Sequence, residues 1–219
     1  MNYLIVDTSS KCLYVGIRRG EEVFEDFSED CGLQHSQVLI SRVDALIKRS
    51  GCPLKEMDCF ACCVGPGSFT GIRIGLTTVR AFCQVFEKPI LAVNSLWLKA
   101  YNVEAAGVAV PLIDAVRGKF YCAAYLGGKE IAKPRLAERG ALENFLKDIE
   151  QKSGQAAYVI FEGEPCGIRR LEPSKKPPYI RACDELLREG KATHYSLALP
   201  AYAALSQAEE NYGKNKAVD

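Results

Sequence analysis

Two aspartates close apolar runs that carry no other charge: Asp7 ends Tyr3-Leu-Ile-Val-Asp, and Asp114 ends Val108-Ala-Val-Pro-Leu-Ile-Asp. An acid at the carboxyl end of a buried strand faces the crevice in which open α/β sheets bind their ligands. A third feature lies between them. Gly65-Pro66-Gly67-Ser68-Phe69-Thr70-Gly71 follows an apolar run and opens a helical pattern, a position where backbone amides and the helix dipole can hold an anion. The spacing is not that of a Walker A loop, and the Lys-Ser/Thr pair that grips phosphate and magnesium is missing. It is not the dinucleotide fingerprint either, because Thr70 stands where the third glycine belongs. Gly67 and Gly71 permit close backbone approach, Pro66 fixes the turn, and Ser68 or Thr70 can cap the helix. A tight strand-to-helix connection therefore stands beside anion binding as the alternative.

Other candidate chemistry is weaker. Ser68 and His35 lack the Gly-x-Ser-x-Gly elbow of a hydrolase nucleophile. His35 reads as a first-turn residue of a helix, and His194 as a surface residue. Ten cysteines are many for this length, yet Cys59, Cys62 and Cys63 form the sole cluster, within a run that reads as a buried strand. Residues three apart on a strand point to opposite faces and cannot chelate one ion, so these read as small buried apolar residues and no metal site is expected.

The 219 residues carry 28 Lys plus Arg against 27 Asp plus Glu, a net charge of +1. That balance excludes a basic coat for nucleic acid, and 48% hydrophobic residues exclude a mainly disordered chain. No run approaches the roughly 20 apolar residues of a membrane span, and the start lacks a basic leader. A cytoplasmic protein without membrane contact is expected.

The elements that must position the acids come in a repeated order. Tyr3 to Thr8, Cys12 to Arg18 and Glu21 to Phe27 read as a meander, followed by a helix over 34–50, a strand over 59–64 and a helix over 71–87. A strand over 89–93 and a short helix over 95–104 bridge to the second half. There Val108 to Asp114, Lys119 to Leu126 and Lys129 to Leu136 form a second meander, with a helix over 139–153, a strand over 157–161 and weaker helical signals beyond. Asp114 matches Asp7 and Tyr121 matches Tyr14 at a constant offset of 107. A βββαβα unit used twice predicts an α/β fold of actin-like or sugar-kinase-like ATPase type, with two lobes and mixed sheets. The lobes are expected at 1–105 and 106–219, with a last helix over about 196–211 packing back on the first lobe.

Gly-Pro-Gly-Ser-Phe-Thr-Gly-Ile-Arg-Ile-Gly-Leu, from Gly65, resembles the signature of the TsaB (YeaZ) family. Val6-Asp7-Thr8-Ser9, His35-Ser36-Gln37 and Pro89-Ile-Leu-Ala-Val-Asn-Ser-Leu96 are similar to the family's pattern too. The resemblance implies a subunit that has lost its own catalysis and supports TsaD in placing a threonylcarbamoyl group on adenosine of tRNA. It implies a TsaD heterodimer, a larger assembly with the ATPase TsaE, a homodimer when alone, and tRNA met only indirectly. No cofactor is implied beyond weak nucleotide binding at an inter-subunit site. Val116 replaces a family arginine, and Ala203 and Ala204 replace a Leu-Arg pair. No Gly-rich turn follows Asp7 to admit phosphate, and no adenosine loop is visible over 157–170, so Asp7 and Asp114 read as a vestigial cleft. An ATP-dependent enzyme or a glycoprotease-type peptidase using that cleft is the rival reading.

The first two helices are implied to meet the partner. In the first, Leu39, Ile40, Val43, Leu46 and Ile47 share an arc of about 120°. In the second, apolar or small residues cover about 220°, roughly twice what a helix packed on one sheet needs. With Ile74, Ala81 and Val85 toward the sheet, Ile72, Leu76, Val79, Phe82 and Cys83 are left for a neighbour, and Arg80 lies on the polar stripe between. That neighbour is either the first helix of the same chain or a partner.

Overall fold

A computed structural model describes residues 1–115, 118–161, 170–171 and 173–201. β1 (Asn2–Asp7), β2 (Leu13–Arg19) and β3 (Glu22–Ser28) form the first meander. The turn between β2 and β3 falls at Gly20, which holds a φ of 57°. α1 (His35–Ser50) follows and stops at Gly51, whose left-handed conformation lets its N–H donate to the Ile47 carbonyl. β4 (Cys59–Gly65) then lies parallel to β1, with Tyr3 opposite Cys59 and Val6 opposite Cys62. α2 (Phe69–Phe86), β5 (Ile90–Asn94) and α3 (Ser95–Tyr101) complete the first half. α2 begins two residues before the expected Gly71, because the Ser68 side chain accepts from the Gly71 N–H as a helix cap.

The second half repeats the plan. β6 (Val108–Asp114), β7 (Lys119–Leu126) and β8 (Lys129–Glu138) form the meander, a short turn of helix at Arg139–Ala141 leads into α4 (Leu142–Ser153), and β9 (Ala157–Ile160) lies parallel to β6. β10 (Arg170–Leu171) adds the outer strand. The two sheets run β3-β2-β1-β4-β5 and β8-β7-β6-β9-β10, the same topology twice. This is the actin-like α/β fold.

β1 is buried on both faces, which is why it reads as an unbroken apolar run rather than an alternating one. Leu4 and Val6 pack under α1 and α2 with Leu39, Val43, Leu46, Leu76 and Val79. Tyr3 and Ile5 face the other way, and α3 alone is too short to cover that surface. α5 (Tyr179–Arg188) completes the cover, with Tyr179, Ile180, Ala182 and Cys183 packed on Tyr3, Ile5, Tyr14, Cys59 and Cys63. Beyond it Thr193 pairs with Ile90, Ala198 enters the first core, and the Ala201 N–H donates to the Val64 carbonyl. Residues 173–201 thus pack with the first sheet, although they follow the second in sequence. Tyr195–Leu197 is a single short turn of helix, so no regular helix begins at 196. The rest of that expected helix, Val116, Ala203 and Ala204 lie outside the described residues. Among the described residues no helix is long and apolar enough to cross a membrane.

Candidate functional site

Asp7 and Asp114 line one cleft of about 490 Å³ between the two sheets. The two acids differ in state. Asp114 is exposed, whereas Asp7 is 7% exposed and already engaged. Its Oδ1 accepts from the Ser9 N–H at 2.8 Å, and its Oδ2 accepts from the Tyr179 hydroxyl at 2.8 Å. Burial pushes the Tyr179 phenol far above its ordinary value, and the Asp7 carboxylate pushes it further. Tyr179 therefore stays protonated and remains the donor. Its ring stacks on Tyr14 with centroids 3.9 Å apart, and the Tyr14 hydroxyl donates to Glu25 at 2.7 Å. The residue that meets Asp7 arrives from α5, 172 positions away in sequence, a distance that strand and helix patterns do not reveal.

The signature loop is committed in the same manner. The Ser68 N–H donates to the Ser9 carbonyl at 2.7 Å, the Gly71 N–H to Ser68 Oγ at 3.2 Å, and the Ile72 N–H to the Ser68 carbonyl at 2.8 Å. Thr8 Oγ1 donates to the Gly71 carbonyl at 2.7 Å. A Cβ on Gly67 would overlap the Ser9 carbonyl, and one on Gly71 the Thr8 carbonyl. These glycines let the start of α2 lie directly on the turn after β1, so the loop serves as a tight connection. Pro66 reaches the cleft wall, while Phe69 and Thr70 turn outward. His35 anchors the start of α1 through a 3.0 Å bond between Nε2 and the Cys12 carbonyl.

The cysteines sort by strand face. Cys59 and Cys63 pack toward α5, and Cys62 toward α2. Burial raises the thiols of Cys59 and Cys83 to about 12 and that of Cys122 to about 11, so they stay protonated and inert. No group of metal-binding side chains occurs among the described residues.

The helix faces require a correction. Ile72, Leu76, Val79 and Cys83 on α2 lie 0–4% exposed against the chain's own sheet, and Leu39, Val43 and Leu46 on α1 join the same core. Phe82 packs its ring 5.7 Å from that of Phe60 in β4. None of these is a surface for a neighbour. The outward residues are those assigned to the sheet, with Val85 72% exposed, Ala81 exposed and Ile74 half-buried. Gly71 and Gly75 decide the orientation, because their missing side chains bring the opposite face of α2, with Ile72 and Leu76, against Thr8 and Val6. Between α1 and α2 runs an open groove of about 500 Å³, lined by Ile40, Phe69, Ile74 and Thr77. Ile40 is 55% and Phe69 39% exposed, and the Arg73 guanidinium stands 3.9 Å from the Phe69 ring centroid. Arg80 is half-buried.

Two repeated mixed sheets, with a cleft between them whose strand-end acid Asp7 is held by Ser9 and Tyr179, define an actin-like α/β protein. A family model described as TsaD, tRNA N6-adenosine threonylcarbamoyltransferase, matches residues 29–150. The tRNA threonylcarbamoyladenosine biosynthesis protein TsaB of Bacillus subtilis is 30% identical over 172 residues, 78% of this chain and 74% of that one. The Escherichia coli TsaB is 30% identical over 128 residues, covering 57% of this chain and 55% of its own. A Pseudomonas aeruginosa crystal structure, described as similar to peptidase YeaZ, superposes with a TM-score of 0.72 at 21% identity over 93% of this chain and 99% of that one. The chain belongs to the TsaB (YeaZ) family.

Proposed function

We propose that this chain is a non-catalytic subunit in the formation of threonylcarbamoyladenosine on tRNA, supporting a TsaD-type transferase. The pathway rests on the named relatives. The non-catalytic role rests on one observation, the Asp7 carboxylate spent on Tyr179 and Ser9 inside the chain. An acid that handled a metal and phosphates would need its oxygens free toward the cleft.

Partner docking falls on the outward face of α1 and α2, through Ile40, Phe69, Ile74 and Val85. TsaD occupies it in the working complex, a second copy of this chain occupies it in isolation, and TsaE joins the larger assembly. tRNA is met through the complex, in keeping with a net charge of +1. No cofactor is assigned within the chain; weak nucleotide binding would fall at a contact between subunits. The test is co-purification of TsaD with wild-type chain and with Ile40→Asp. Loss of TsaD with a folded variant supports the assignment, and undiminished capture overturns it.

A further inference from the structure

A second concavity, of about 320 Å³, lies where α3, α5 and the hairpin between β7 and β8 meet. We propose that it is a docking pocket for an arginine side chain presented by a partner protein.

Its walls are aromatic. Trp97 and Tyr101 are one helical turn apart on α3, and their rings stack with centroids 4.9 Å apart at 22°. Tyr125, 3% exposed, backs them from β7. The polar ends of the first two are already held: Trp97 Nε1 donates to the Gly128 carbonyl at 3.1 Å, and the Tyr101 hydroxyl donates to Glu185 Oε2 at 2.7 Å. The rings are thereby locked in place, and one of the two ties bridges α3 to the second sheet. A ligand would meet aromatic surface whose geometry costs nothing further to organise.

Two carboxylates line the pocket, and the Arg181 guanidinium lies beside Tyr101 without lining it. Glu185 is half-buried and Glu104 stands at the rim. Among the described residues neither makes an ion pair, and Glu104 makes no side-chain hydrogen bond. Two carboxylates beside aromatic rings repel phosphate and attract a cation. A planar guanidinium satisfies both parts at once, since it stacks on an aromatic face and can pair with a carboxylate through two parallel N–H bonds. The chain carries its own example, with the Arg181 guanidinium 5.1 Å from the Tyr101 ring centroid. A nucleobase would also stack, but its phosphate would meet the carboxylates.

Trp97 is the only tryptophan in the sequence, so its fluorescence reports on this pocket alone. The experiment titrates full-length chain with N-acetyl-argininamide, with neutral N-acetyl-norleucinamide and with AMP, and repeats the first titration on Glu185→Gln and Glu104→Gln. The expected result is a saturable change with the arginine probe only, weakened at least fivefold in each variant, with each variant's far-UV dichroism unchanged. Glu104→Gln keeps the test independent of folding, because that side chain is exposed and holds nothing together. No saturable change, equal binding of norleucinamide, tighter binding of AMP, or full affinity in Glu104→Gln and Glu185→Gln would overturn the proposal.

Discussion

Tyr179→Phe isolates the contact on which the non-catalytic reading depends. The substitution keeps the ring and its 3.9 Å stack on Tyr14, and removes only the hydroxyl that donates to Asp7. Both partners are largely buried, Tyr179 at 3% and Asp7 at 7% exposure, so water from the cleft only partly replaces the lost donor. A hydrogen bond to a charged group contributes about 1.5–3 kcal/mol, and leaving the carboxylate oxygen unsatisfied places the cost in the same range. The Ser9 N–H still serves the other oxygen, which sets the expectation near 2 kcal/mol rather than above it. For a chain of this size about 1 kcal/mol lowers Tm by roughly 2–4 °C, so the variant should melt about 4–8 °C lower. Urea unfolding of the wild type, Tyr179→Phe, Asp7→Asn and the double variant should give a coupling of about 1–2 kcal/mol between the two side chains. The same variant frees an Asp7 oxygen toward the cleft, yet no magnesium-dependent ATP hydrolysis should appear. A Tm within about 1 °C of wild type, or no measurable coupling, would refute the contact as a structural tie. A gain of ATPase activity would show that Asp7 retains its ancestral chemistry.

Three further outcomes follow from the packing. Val79→Asp places a carboxylate at a fully buried site and should unfold the chain or cost several kcal/mol, whereas Ile40→Asp, at 55% exposure, should shift the urea midpoint by under about 0.5 kcal/mol; circular dichroism and urea titration separate them. Gly71→Ala drives a Cβ into the Thr8 carbonyl and should cost about 1–3 kcal/mol in the same titration, since backbone must shift to admit it. Burial alone would raise the Glu25 carboxyl, but the Lys176 ammonium at 2.7 Å and the Tyr14 hydroxyl outweigh it and hold the group below its ordinary value. A carboxyl depressed in the folded state stabilises above its unfolded pKa and loses that contribution as pH falls through the folded one. Lys176→Met should therefore lower the urea midpoint slightly at pH 7, by less than about 1 kcal/mol for so exposed a pair, and the difference should fade as the pH drops below the ordinary carboxylate range.

Much of the fold was legible because it repeats. The two meanders, the constant offset between Asp7 and Asp114, and the glycines closing α1 and opening α2 all mark local events with local causes. The orientation of α2 was not read correctly, since apolar and small residues cover most of its circumference and the hydrophobic pattern alone admits either face. The deciding signal was present in Gly71 and Gly75, which share the inner face with Ile72 and Leu76 and mark where helix and strand come closest. The Gly-rich loop admits either an anion site or a tight connection on sequence alone; the Ser68 cap and the close approach to Ser9 in the turn after β1 decide for the connection. α5 is the element least legible in the sequence, where only weak helical signals mark it. Its segment follows the second sheet in sequence, but the uncovered face of β1, with Tyr3 and Ile5, needs a lid that α3 is too short to supply. Tyr179 comes with it, so the residue that closes Asp7 lay in the least regular part of the pattern.

The most direct test is threonylcarbamoyladenosine formation on tRNA by purified TsaD and TsaE supplied with threonylcarbamoyl adenylate as donor and with ATP, measured as the modified nucleoside by mass spectrometry, with no added chain, with wild type, and with Asp7→Asn at equal folded concentration. The expected result is modification that depends on the chain and proceeds equally well with Asp7→Asn. Modification at full rate without the chain, or its abolition by a folded Asp7→Asn variant, would contradict a non-catalytic supporting role.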